Sequence, residues 1–112
     1  MPITTTEVAN YSVVMISPGE PNKFFATIAL FDAAGAEIGF LRFYEPSVRM
    51  ARNEFRADLG HPLVSYRASS FAGIVDLLRN ESPVYFKWFD YSRTRRFATV
   101  ETNREPVGES ES

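Results

Sequence analysis

The chain has 112 residues, 12 basic and 14 acidic side chains, one histidine, no cysteine and sixteen aromatics. That length suits one domain, and a 45 % hydrophobic, 23 % charged composition is that of an ordinary globular protein. Without cysteine there is no disulfide framework, thiol nucleophile or thiolate metal site, and a single histidine excludes two-histidine zinc motifs.

The net charge of −2 is unevenly placed. Residues 1–100 carry 11 basic and 10 acidic groups, whereas Glu101, Glu105, Glu109 and Glu111 outweigh Arg104 in the last twelve. Ten of the basic residues are Arg, which favours bidentate and stacking contacts over simple solvation. The amino terminus has no basic side chain before its first apolar run, Val13 to Ile16, and that run is too short for a signal or membrane-spanning segment. The expectation is a cytoplasmic protein with no membrane contact.

In chain order, Tyr11 to Ile16 reads as a first strand rich in β-branched residues. Pro18-Gly19-Glu20-Pro21-Asn22 breaks it. Lys23 to Phe31 forms a second strand and Glu37 to Tyr44 a third, joined by Asp32-Ala33-Ala34-Gly35, where Asp opens the turn and Gly supplies positive φ. Both strands are apolar on both faces. Gly39 within the third suits sharp curvature or close backbone approach.

Residues 47–58 read two ways. Ser47 can cap a short helix that places Val48, Ala51 and Phe55 on one side and Arg49, Arg52 and Arg56 on a shared stripe, or the stretch is a long loop. Gly60-His61-Pro62 makes a turn, and Leu63 to Arg67 is a fourth strand. Ser69 or Ser70 then caps the main helix, where Phe71, Ile74, Val75 and Leu78 recur with helical spacing. Asn80 and Pro83 end it, Asn through a left-handed cap. Val84 to Phe89 and Arg96 to Thr102 are the fifth and sixth strands. Pro, Gly, Ser and Glu dominate from Asn103, so residues 1–102 read as one domain and 103–112 as an acidic, disordered tail.

These elements predict an α+β fold: a curved antiparallel sheet of about six strands, in the order β-β-β-β-α-β-β, with one main helix packed on it. A helix of about twelve residues is roughly 18 Å long and covers part of one face. The other face must therefore curl into a partial barrel, pair with a second chain or bind a ligand.

The segment from Tyr85 to Phe97 interleaves aromatics with Lys87, Arg93, Arg95 and Arg96. Strand alternation puts Tyr85, Lys87 and Phe89 on one face and Phe86 and Trp88 on the other, so one set is core and the other is free to bind. The candidate binding residues are accordingly Tyr85, Lys87, Phe89, Arg93, Arg95 and Arg96. Rings that stack on bases and arginines that neutralise phosphates suit single-stranded nucleic acid, yet a pI near 5.4 speaks against tight duplex binding.

His61 reads as a surface-turn side chain, since the one carboxylate close in sequence is Asp58. Glu54 and Asp58, four apart, read as a solvated face rather than an acid pair. No catalytic residue, metal ligand or cofactor site is expected, and an enzyme would need a cavity with convergent polar groups near His61.

Val75-Asp76-Leu77-Leu78-Arg79-Asn80-Glu81, then Pro83-Val84-Tyr85-Phe86 and the terminal Glu105-Pro106-Val107-Gly108-Glu109, resemble a helix–hairpin and tail pattern of small uncharacterised bacterial single-domain proteins. The resemblance implies a bacterial origin and carries no activity or site residue. The function expected from the residues is a non-enzymatic binding module acting as a homodimer through protein–protein contact. Single-stranded nucleic-acid binding stands as the alternative, and a small-molecule-binding or enzymatic domain as the second.

Overall fold

The computed structural model describes residues 2–17 and 24–102. The break at residues 18–22, the first residue of the second strand and the expected acidic tail lie outside that range. The elements are β1 (Ile3–Glu7), β2 (Asn10–Met15), β3 (Phe24–Phe31), β4 (Glu37–Tyr44), β5 (Glu54–Arg56), β6 (His61–Arg67), a short 3₁₀ turn at Ala68–Ser70, α1 (Phe71–Asn80), β7 (Val84–Ser92) and β8 (Arg95–Thr102). The α+β class holds, but the strands form two sheets rather than one of six, and neither closes into a barrel. Five strands run in the order β2-β3-β4-β6-β5 and three in the order β1-β7-β8. All pairs are antiparallel except β4 with β6, which is parallel.

The chain enters both sheets at once. β1 pairs with β7, the Val8 amide donates to the Val84 carbonyl, the Ala9 amide donates to Phe31, and β2 then pairs with β3. This change of sheet over two residues joins the layers at a corner. β1 contributes no residue to the buried core, Ile3 being half-buried, and its Thr-rich sequence carries no amphipathic signal for hydrophobic patterning to detect.

The β3–β4 hairpin forms as its turn chemistry dictates. Asp32 Oδ1 accepts the Ala34 and Ala36 amides at 3.0 and 2.9 Å, and Gly35 takes φ of 85°. Ile28 opposite Leu41 and Ala26 opposite Phe43 then share one face, all fully buried. Phe86 and Trp88 of β7 close over that face, with Ile74 of α1 completing the core. Gly39 is the point of closest approach: a Cβ there would lie 2.7 Å from Cε2 of Phe86. Part of the aromatic excess is thus absorbed by one sheet covering the other, with the helix filling the remainder.

Residues 47–58 contain no helix, and the stripe of Arg49, Arg52 and Arg56 does not form. Instead the chain crosses the second face of the larger sheet. Arg67 donates to the carbonyls of Glu45 and Val48, Ser65 Oγ donates to Ala51 at 2.7 Å, and Arg42 reaches the Arg52 carbonyl. Backbone acceptors that a helix would use internally are held by side chains of β4 and β6. Asn53 then bridges the sheets, accepting the Ser65 amide at 2.7 Å and donating to the Arg96 carbonyl at 2.9 Å. Glu54 belongs to β5, whereas Asp58 sits in the following turn and binds Arg56 at 2.9 Å, so the two carboxylates are not a pair.

α1 begins after Ser70, but that side chain makes no capping hydrogen bond, and the 3₁₀ turn supplies the entry instead. Asn80 is not left-handed: no described residue other than glycine has positive φ. The helix ends through the extended Glu81, whose amide donates to Leu77 at 3.1 Å, while Asn80 Nδ2 donates to Asp76 at 2.6 Å. No described helix is long and apolar enough to cross a membrane.

Candidate functional site

The β7–β8 hairpin divides its aromatics as alternation requires. Val84, Phe86 and Trp88 point inward at 4, 2 and 5 % exposure. Tyr85, Lys87 and Phe89 lie on the outer face, and the cross-strand register adds Glu101, Thr99 and Phe97 beside them. From β1 the same register contributes Glu7, Thr5 and Ile3.

Along this face the chemistry changes from end to end. At the tip, Phe89 and Phe97 stack at 4.5 Å with ring planes 9° apart, and Tyr91 packs 6.3 Å from Phe89. Arg95 covers the Tyr91 ring with its guanidinium carbon 4.9 Å from the centroid. Tyr91 and Phe97 remain 45 and 38 % exposed. At the other end Tyr85 stands between Glu7 and Glu101. Lys87 Nζ meets Glu101 at 3.0 Å, and Thr99 Oγ1 donates to Glu101 at 2.6 Å. These hydrogen bonds, Thr99 first and Lys87 second, hold the Glu101 carboxyl below the usual carboxylate value.

Of the six candidate residues, Tyr85, Lys87, Phe89 and Arg95 share this face. Arg93 is exposed in the turn between the strands. Arg96 points to the opposite side, where its Nε donates to Asp90 at 2.7 Å. Arg93 and Arg96 instead line a small cleft with Arg52, Asn53 and Thr94. Reading the six as one surface overlooked that Arg95 and Arg96, being adjacent in a strand, face opposite ways. A fifth strand that stops at Phe89 leaves out Tyr91, and Phe97 joins the face only through its cross-strand pairing with Phe89. Continued alternation past Asp90 is the signal that would have found Tyr91.

His61 is not a surface-turn side chain. It opens β6 at 5 % exposure, and its Nε2 lies 3.2 Å from Glu37 Oε2 on the neighbouring hairpin. The orienting carboxylate is thus 24 residues away in sequence, invisible to local spacing. Glu37 also lines a cavity between the two sheets. Among the described residues no group of three His, Cys, Asp or Glu is placed to hold a metal ion.

Comparison with protein-family models, curated proteins and solved structures found no match to the chain.

Proposed function

We propose that this protein is a non-enzymatic binding module that pairs with a second copy of itself through the outer face of β1, β7 and β8. The observation that supports this most is the composition and polarity of that face. Tyr, Phe and Arg are the residue types that carry interface energy, and here they cluster at one end, exposed. The opposite end holds Glu7 and Glu101. Two copies stacked about a two-fold axis lying across the strands bring the Arg95 end of each against the Glu7 end of the other. An isologous contact requires such self-complementarity.

The ring geometry favours protein over nucleic acid. Phe89, Tyr91 and Phe97 stack on one another and Arg95 covers Tyr91, so ring edges rather than open faces meet solvent. Base stacking needs open faces. Three strands about 4.8 Å apart and up to about 25 Å long present roughly 400 Å² of sheet, well below the usual 800 Å² per partner. An interface of that size belongs to transient pairing.

Sedimentation equilibrium tests the reading. The apparent mass should rise with concentration from 12.7 kDa toward twice that value, and Phe97→Ser should hold it near the monomer. Val14→Lys, on the exposed edge strand β2, should leave the association unchanged, because β2 lies in the other sheet. A wild-type monomer at millimolar concentration contradicts the proposal.

One observation favours the nucleic-acid reading: the cleft at the hairpin tip gathers Arg52, Arg93 and Arg96 around Thr94. On that reading a labelled single-stranded oligonucleotide binds at low salt and is released steeply as salt rises, with Arg93→Ala lowering the slope.

A further inference from the structure

Between the two sheets, beside the β3–β4 turn, lies a half-open cavity of about 280 Å³. Its apolar wall is the inner face of β7: Phe86 and Trp88 line it, joined by Phe55 from β5, which is 47 % exposed. Thr4 and Thr6 of β1 stand directly opposite Trp88 and Phe86 in the register, so their side chains share that inner face. The charged part of the lining is wholly acidic. Glu37 and Asp32 contribute carboxylates, and no described basic side chain lines the space.

The two carboxylates are not equivalent. Asp32 Oδ1 is engaged by the amides of its own turn. Glu37 is held from behind by His61, buried to 5 % exposure, through a 3.2 Å contact between Nε2 and Oε2. The other ring nitrogen, Nδ1, lies 3.2 Å from the Pro62 carbonyl. The imidazole thus fixes the direction of the Glu37 side chain. Oε2 faces His61, and Oε1 has no protein partner among the hydrogen bonds and ion pairs of the described residues.

From this arrangement we infer a binding site for a small cationic amine with an aromatic body, an arylalkylamine in chemical class. Its ammonium would donate to Glu37 Oε1 and to a Thr hydroxyl, while its ring would lie against the exposed Phe55, beside the buried Phe86 and Trp88. A water molecule's share of liquid volume is about 30 Å³, so the cavity suits a ligand of roughly ten heavy atoms. An anion of the same shape would meet two carboxylates and be refused. The site lies on the inner face of β1 and β7, whereas the proposed pairing surface is their outer face. The two proposals are therefore independent.

Trp88 is the one tryptophan of the chain, so its emission reports occupancy directly. Titration of the 112-residue chain with phenethylamine should change that emission saturably. Phenylacetate and 2-phenylethanol should bind at least tenfold more weakly. Glu37→Gln should weaken phenethylamine at least tenfold and abolish the preference over phenylethanol. Because that substitution also disturbs buried His61, Phe55→Ala serves as a second variant on an exposed side chain, with affinity reduced severalfold and selectivity kept. Equal affinity for phenethylamine and phenylacetate, or no response of Trp88 to either, overturns the inference.

Discussion

Single residues set the spacing and polarity of the two layers. Gly39 has no Cβ where Phe86 needs the space, and Phe86 is 2 % exposed in a packed core. Gly39→Ala should therefore cost about 1–3 kcal/mol in urea denaturation. It should also push the ring toward the cavity it lines and alter Trp88 emission. Burial raises the Tyr66 phenol to about 12, and its hydroxyl donates to the Ala98 carbonyl at 3.3 Å, across the two sheets. A folded value above the unfolded 10.0 means this contribution is intact below pH 10 and is lost as pH rises toward 12. Ultraviolet titration of the phenolates should show one tyrosine ionising last, and Tyr66→Phe should remove that phase. Glu101 works in the opposite sense: its lowered value gives stability present above the unfolded 4.5 and lost as pH falls below it. NMR titration should return the Glu101 carboxyl toward 4.5 when Thr99 is replaced by Val.

At the scale of elements, hydrogen-bonding chemistry decides which local signals matter. The side chain of Asp32 closes two bonds in the β3–β4 turn, whereas Ser70 makes no bond at the start of α1. Urea denaturation should find Asp32→Ala destabilising by about 1–2 kcal/mol and Ser70→Ala within about 0.5 kcal/mol of the parent. The same contrast explains what was legible in the sequence. The β3–β4 hairpin, α1 and the division of β7 into inner Phe86 and Trp88 and outer Tyr85, Lys87 and Phe89 follow from periodicity and turn residues, which are local. The three residues of β5 carry no pattern of their own and are strand because they pair with Leu63, Pro62 and His61. β1 was illegible for the same reason: its Thr-rich run becomes a strand by pairing with β7. The Glu37–His61 contact and the Asn53 bridge join residues far apart in the chain, and composition gives no register for such meetings.

In the whole molecule, the aromatic excess has two destinations. One part, with Phe43, Phe86 and Trp88, is buried where the sheets close on each other. The other, Phe89, Tyr91 and Phe97, stays on the outer face with Arg95 at one end and Glu7 and Glu101 at the other. Self-association through that polarised face is the central claim, and charge reversal at its two ends tests it most directly. Arg95→Glu alone and Glu7→Arg alone should each sediment as monomers, because like charges then meet across the two-fold axis. An equimolar mixture of the two variants should recover mass toward twice 12.7 kDa, since each reversed end now meets its complement. Single variants that associate like the wild type, or a mixture that stays monomeric, would contradict the account.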